Sequence, residues 1–346
     1  MSLVIHAPNV HVGGGLVLLA AILDALDGSV PVSLLLHKRL SVPKRFPENI
    51  SVCRINPTLL SRFWCEWRLR GMVSSGDIVL CFGNLPPLFK LRGKVFLFVQ
   101  NRYLIEKRSL SGFPISARIR ILIERFWFAW KKKNVNHILV QTPSMQRSIM
   151  TLWGEASSVL PFSRDSSGYE RANSGKLAGK VLYDFLYVAS GEPHKNHRNL
   201  VEAWILLSEE GIRPKLVLTL EESKFPDLCV WIETRKRNCN LNIENRGNIA
   251  REDLQELYYQ TNALIYPSDF ESLGLPLIEA RSAGLSILAS ERDYVRDMVD
   301  PEETFDPNSP VSIARAVKRF LRIPERSLPV MNARDYLAKL CEMAQA

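Results

Sequence analysis

Short apolar runs closed by glycine or polar residues alternate along the chain with longer stretches at helical spacing. LVIHA (Leu3–Ala7) reads as a buried strand, PNVHVGGG as a loop and LVLLAAILDAL (Leu16–Leu26) as an apolar helix. VPVSLLLH (Val30–His37) is the next strand. This order predicts a right-handed βαβ unit in a parallel sheet. DIVLCFG (Asp77–Gly83), KVFLFVQN (Lys94–Asn101) and HILVQT (His137–Thr142) continue the strands and end in polar residues. Pro143 and Ser144, behind a Thr142 cap, open a helix over Pro143–Met150.

PFSRDSSGYERANSGKLAGK (Pro161–Lys180) breaks the pattern with serine and glycine and reads as a hinge. The alternation then resumes. DFLYVAS, KLVLTL, ALIYPS and SILAS are strands. NHRNLVEAWILLSEEG, REDLQELYYQT, LPLIEARSAG and SIARAVKRFLRI are helices, and ARDYLAKLCEMA predicts a last one. The expected fold is therefore α/β with two Rossmann-like, doubly wound domains facing a central cleft. The first spans 1–160, the linker 161–180 and the second 181–325, with 326–346 a C-terminal helix open to packing back toward the first domain. A length of 346 residues suits two domains. Such sheets bind ligands beyond the carboxyl ends of their strands.

At that end of the strand ALIYPS, the run DFESLGLPLIEARSAG (Asp269–Gly284) places Glu271 in a loop and Glu279 about one turn into a helix. Pro276 suits the first helical turn. The amides of Ser272, Leu273, Gly274 and Leu275 precede that turn and are free to donate to an anion or hydroxyl. Two acceptors and a row of donors in one small volume fit a hydroxylated, phosphorylated ligand. As a loop carboxylate, Glu271 is expected to support no core. Gly13–Gly15 would let a phosphate approach the backbone at a helix start, and would equally serve a tight turn.

The run YPSDFESLGLPLIEA resembles the signature of the large group-one family of retaining, nucleotide-sugar-dependent glycosyltransferases with the GT-B architecture. YVASGEPHKNHRNLVEAW, NRGNIAREDLQELYYQTNALIYPS and FDPNSPVSIARAV extend the resemblance over most of the second half. The GEPHKN form is similar to enzymes of bacterial O-antigen and capsule clusters. The first half matches more loosely, through GGG, CFGNLPP and VQTPSM.

The resemblance implies that Glu271 binds the donor sugar hydroxyls, the amides of Ser272–Leu275 its sugar and phosphate, and Glu279 the ribose. Lys195 in PHKN would meet the diphosphate, where leaving-group charge develops. Gly14 and Gly15 would also face the donor, and Arg246–Asn248 lies where relatives hold the base, largely by backbone, with a plain turn as the equal alternative. Asn101 is the acceptor contact. The chain departs from the family at two places. Ala189–Glu192 replaces an arginine before the lysine, and Asn196 replaces a glycine after it; His194 is the candidate to compensate. No histidine stands near Gln100 and Asn101, where relatives often have one.

These features point to a retaining, metal-independent hexosyltransferase that uses a nucleotide diphosphate sugar as co-substrate, without a cofactor, on a glycan or lipid-linked saccharide. A transferase with a soluble acceptor, a nucleotide-sugar epimerase and an inactive sugar-nucleotide-binding scaffold are alternatives on the same fold. Glu271, Gly274, Glu279 and Lys195 together argue against the scaffold. The histidines show no ligand spacing and no D-x-D is present, so no metal is expected. Six scattered cysteines without a C-x-x-C pair suggest reduced thiols of a cytoplasmic protein. No export signal or spanning stretch is apparent.

Charge divides unevenly. Residues 1–160 hold 21 Lys and Arg against 8 Asp and Glu, and 161–346 hold 24 against 28. The basic half predicts an anionic partner. No recognition motif supports nucleic acid. In ISARIRILIERFWFAWKKK (Ile115–Lys133), Ile119, Leu122, Ile123, Phe126, Trp127 and Trp130 form a helical stripe beside Arg118, Arg120, Arg125 and three lysines. RFWCEWRLR (Arg62–Arg70) adds two tryptophans among arginines. The stripe either packs into the core or lies on the inner face of the cytoplasmic membrane.

Overall fold

A computed structural model describes residues 1–11, 13–40, 47–56, 58–106, 108, 110, 113–162 and 181–324. Its first sheet contains β1 (Leu3–Ala7), β2 (Val32–His37), β3 (Ile50–Ile55), β4 (Ile78–Cys81), β5 (Lys94–Val99), β6 (His137–Val140) and β7 (Ser157–Val159). The second contains β8 (Tyr183–Tyr187), β9 (Leu216–Leu218), β10 (Ile243–Asn245), β11 (Thr261–Tyr266), β12 (Ser286–Ser290) and β13 (Glu303–Phe305). The strand orders are β3-β2-β1-β4-β5-β6-β7 and β10-β9-β8-β11-β12-β13. Every pairing is parallel, with β1 between β2 and β4, and β8 between β9 and β11. The chain thus winds twice about a first strand, and each sheet has a switch point beside it.

Both faces of the first sheet are covered. Val4, Leu35, Val79 and Leu97 enter one apolar cluster; Ile5, Leu34, Leu36 and Phe98 enter the other. The two-residue period of a strand divides them. The second sheet has a single large cluster in which Phe185, Trp204, Tyr266 and Leu288 are buried. β3, β7, β10 and β13 do not emerge from the sequence pattern. All four are sheet edges, three of them only three residues long, and too little of each is buried to carry a period.

Most of the stripe does not pack into the core. The helix Ile115–Lys131 buries Ile121 and Phe128, whereas Ile119, Leu122, Ile123, Phe126 and Trp130 face outward, each more than half exposed. Trp127 is partly buried, its Nε1–H donating to Pro86 O at 3.0 Å. Arg125 turns inward and donates to the carbonyls of Tyr103 and Glu106. Phe63, Trp64 and Trp67 on the helix Leu59–Met72 are exposed as well. Among the described residues no helix is long and apolar enough to cross a membrane. Most of the expected hinge, 163–180, and the expected C-terminal helix over 326–346 fall outside the described residues.

The helix His197–Glu209 follows β8 and buries His197 against the Tyr187 ring, 4.8 Å between centroids. Burial pushes the His197 imidazole down to about 3, helped by the charge of Lys195. The unfolded chain takes up this proton near 6.5, the folded chain only near 3. Stability is therefore lost as pH falls through that window, with a slope of up to about 1.4 kcal/mol per pH unit. His197→Phe is expected to flatten this part of the acid limb in urea melts run from pH 7 to pH 4. An unchanged slope would show that the buried ring does not set it.

Candidate active site

The carboxyl ends of both sheets border one cleft with a cavity of about 690 Å³. The loop after β11 forms its base. Gly274 adopts φ +69°, which favours glycine, and a Cβ there would also displace Leu277 Cδ1, 2.9 Å away. The helix Leu275–Ser282 then starts with proline in its first turn and no side-chain cap. Ser272, Leu273, Gly274, Leu275 and Glu279 all line the cavity. The helix dipole leaves positive potential at this end. Glu279 accepts from the Tyr258 hydroxyl at 3.1 Å through Oε2.

Glu271 is not the free loop carboxylate expected from sequence. Its Oε1 accepts from Lys195 Nζ at 2.5 Å, Ser268 Oγ at 2.7 Å and Tyr266 OH at 3.1 Å. The two charged side chains are only 12% and 15% exposed. Burial alone would raise the Glu271 carboxyl, but the Lys195 charge leads a set of interactions that hold it below its ordinary value. The same surroundings, burial first, raise the Tyr266 and Tyr187 hydroxyls well above the phenolic range, so both stay protonated donors.

Lys195 sits at the end of a 3-10 turn, Pro193–Lys195. Asn196 follows with φ +62°. Asparagine enters this left-handed region more readily than most residues, which explains how it replaces the expected glycine. Its Nδ2 donates to Pro267 O at 3.1 Å and Pro307 O at 2.6 Å. The amide of Asp269 donates to His194 O at 2.9 Å. The lysine turn and the glutamate loop are thus tied together.

The first domain closes the other side. Gly14 and Gly15 stand at the start of the helix Gly13–Asp24 and line the cavity with Asn101. A Cβ on Gly14 would lie 3.6 Å from Leu275 Cδ1, so the two helix starts approach closely. Asn101 also has local work: its Oδ1 accepts from Tyr103 N at 3.0 Å. Between the domains, Phe270 is buried under Arg102 and Arg108, whose guanidinium carbons lie 4.7 and 4.6 Å from its ring centroid, with the Tyr103 ring at 4.7 Å. Arg102 Nη1 donates to Glu271 O at 3.0 Å. Asp269 is bonded by Arg108 and, at 2.7 Å, by Arg292.

Three residues proposed for the donor lie outside the cavity lining. His194 packs between the rings of Tyr103 and Phe113, and burial lowers its affinity for a proton, so it supplies no charge in place of the missing arginine. Arg246 bonds Glu244 Oε1 at 3.0 Å, and Asn248 is exposed; Ile249 and Leu254 line the cavity instead. Among the described lining residues Lys195 is the one cation, facing Glu192, Glu271 and Glu279. Sequence reasoning also missed Tyr266 and Ser268, although both stand inside the quoted signature, and the amides of Asn9, Asn84 and Gln141, which follow strand ends.

Residues 174–335 match the family described as glycosyl transferases group 1. The O-antigen chain mannosyltransferase B of Escherichia coli is 31% identical over 139 residues, 40% of this chain and 36% of that protein. The serotype-specific mannosyltransferase WbdA of Escherichia coli is 30% identical over 145 residues, 41% of this chain and 18% of that protein. The chain thus covers well under half of these relatives. In overall fold it is similar to Anabaena HepE in complex with UDP, with a TM-score of 0.68 at 14% identity over 93% of this chain and 90% of that one. An α,α-trehalose-phosphate synthase from Burkholderia vietnamiensis gives 0.66 at 12% identity over 94% and 92%. These likenesses establish the GT-B fold.

Removing one member of a buried ion pair leaves the other charge uncompensated. Glu271→Ala is expected to lower stability by about 3–5 kcal/mol, and the added change Lys195→Met to restore most of it. Urea melts of the single and double variants check this. Equal stability of the single variant and the parent would show that water already satisfies the lysine.

Proposed function

We propose, from the match of residues 174–335 to glycosyl transferases group 1, that this chain transfers a hexose from a nucleotide diphosphate sugar to a glycan or lipid-linked saccharide in surface polysaccharide synthesis. The observation that carries this reading is the lysine–glutamate pair beside an uncapped helix start at the carboxyl ends of β8 and β11. The relatives named as mannosyltransferases and the neighbour in complex with UDP support the class of donor.

In this reading the amides of Ser272–Leu275 receive the phosphates and Glu279 the ribose hydroxyls. Ile249 and Leu254 offer the base an apolar wall. Lys195 has three N–H donors. One stays on Glu271 while the others reach the diphosphate, whose charge grows as it leaves. That interaction favours the transition state over the ground state. Glu271, oriented by Tyr266 and Ser268, receives sugar hydroxyls. Retention follows from front-face attack: the acceptor oxygen bonds to C1, the C1–O bond to phosphate breaks, and the acceptor proton passes to the leaving phosphate oxygen. No metal ion is needed, because Lys195 and the helix start carry the phosphate charge.

The site of transfer is the cytoplasmic face of the membrane, which the first domain touches through its outward aromatic residues. Lys131 Nζ lies 3.6 Å from the Trp130 ring centroid and Arg68 lies over Trp64 at 5.4 Å, so apolar and basic groups share one surface. Phe89 packs against the helix Leu59–Met72, near Phe63 and under Arg70. Each basic residue near an anionic leaflet contributes about 1 kcal/mol.

A panel of nucleotide sugars, GDP-mannose and UDP-glucose among them, tests the transferase through nucleotide release in excess EDTA. Lys195→Ala is expected to cut kcat by about 10–150-fold, the worth of a charged hydrogen bond, with a smaller change in donor KM. Raised KM at normal kcat would reduce the lysine to a binding group, and a strict metal requirement would overturn the phosphate clamp. For the membrane face, liposomes with anionic lipid are expected to sediment the protein at low salt and release it at high salt. Phe126→Ser, Trp130→Ser, Lys131→Glu and Lys133→Glu together should abolish this, with Lys132 kept because it pairs with Glu155 at 2.8 Å. Binding unaffected by the four changes would remove the membrane from the reading.

A further inference from the structure

We infer that Tyr258 is a positioning residue for the nucleotide ribose: its hydroxyl holds the Glu279 carboxylate in the orientation that accepts the ribose hydroxyls. This rests on the transferase reading above, in which Glu279 takes the ribose, and adds the residue that prepares it.

Tyr258 lies in the helix Arg251–Tyr259, four residues after Leu254. Residues at that spacing share one helix face. Leu254 lines the cavity, and Tyr258, one turn further on, reaches a carboxylate that lines it too. Glu279 is itself one turn from the helix start at Leu275. The bond between Tyr258 and Glu279 therefore joins the amides proposed for the phosphates to the apolar wall proposed for the base. In a nucleotide the ribose connects those same two parts.

The ring and the hydroxyl of Tyr258 have separate duties. The ring is fully buried in the cluster that contains Leu277 and Ala280, which flank Glu279 along the next helix. A phenylalanine offers that cluster the same ring, so the hydroxyl adds only a polar tip. This tip meets Glu279 Oε2 at 3.1 Å. A phenol is protonated at neutral pH and an ionised carboxylate only accepts, so the direction of the bond is fixed.

A glutamate side chain has several rotatable bonds, and ordering it when a ligand binds costs entropy. With one oxygen tied to a hydroxyl on a buried ring, much of that ordering precedes the ligand. A carboxylate has about four lone-pair positions, so the bond from Tyr258 leaves capacity for ligand hydroxyls. The amides of Ser272–Leu275 and the wall of Ile249 and Leu254 act wherever the Glu279 carboxylate points. Loss of the phenolic hydroxyl therefore weakens a ribonucleotide and spares one that lacks the two ribose hydroxyls.

The test is isothermal titration of the full chain with UDP, GDP and ADP and with their 2′,3′-dideoxy counterparts. The parent protein is expected to bind its best ribonucleotide about tenfold or more tightly than the dideoxy form. Glu279→Ala should remove that preference. Tyr258→Phe should weaken the ribonucleotide by about 3–10-fold, the ordering of one side chain, and leave the dideoxy form within about twofold. In the Glu279→Ala background it should add no further loss. Retained dideoxy binding also shows that the variant folds. A preference lost in Glu279→Ala but unchanged in Tyr258→Phe would overturn this inference alone. Equal weakening of both forms by Tyr258→Phe would show that the hydroxyl supports the site as a whole, and would overturn it as well. A preference that survives Glu279→Ala, or a parent protein that binds none of the three ribonucleotides, would sink the ribose reading on which the inference rests.

Discussion

The ion pair between Lys195 and Glu271 is the constraint on which the cleft depends. A buried carboxylate and a buried ammonium are each costly alone and tolerable together. Everything around them serves that pairing. Tyr266 and Ser268 give the carboxylate two further donors, and the Tyr187 hydroxyl donates to the lysine's own carbonyl at 2.5 Å. The pair joins a turn after β8 to a loop after β11, so it also ties together the two strands that flank the switch point. An apolar pair of the same volume would be no less stable at this place.

The same loop binds the domains to each other. Phe270 stands next to Glu271, and the pleat of an extended loop turns it the other way, into Tyr103, Arg102 and Arg108. Asp269, one residue earlier, takes arginines from both domains. Three consecutive residues therefore address the first domain, the interface and the Lys195–Glu271 ion pair. Arg102 of the first domain also donates to the Glu271 carbonyl.

The first domain presents two unlike surfaces. Toward the cleft it is neutral and amide-rich; outward, on the helices Leu59–Met72 and Ile115–Lys131, it is aromatic and basic. Its excess of positive charge is therefore absent from the cavity wall and concentrated elsewhere. A charge total taken over half the chain carries no information about which face holds it.

The second domain was largely legible. Its central strands β8, β11 and β12 are apolar runs buried on both faces, and the glycine, proline and two glutamates of the run from Asp269 to Gly284 have local reasons: a positive φ, a first helical turn, and one helical turn between the helix start and Glu279. Local rules of this kind act within a few residues, so they survive in a sequence. The edge strands were not legible, because their pairing partners lie far along the chain and supply what their own few residues lack. Nor was the state of Glu271, which depends on a lysine 76 residues away. Nor were the surroundings of His194 and Arg246: the first packs against Tyr103 and Phe113, and the second pairs with Glu244. The apolar stripe shows the limit most directly: its spacing determined a helix with one apolar face, and the direction of that face was decided by Ile121, Phe128 and Arg125, which pack inward and turn it to the outside. Periodicity specifies how a segment folds and leaves open what it folds against, which is a property of the whole chain.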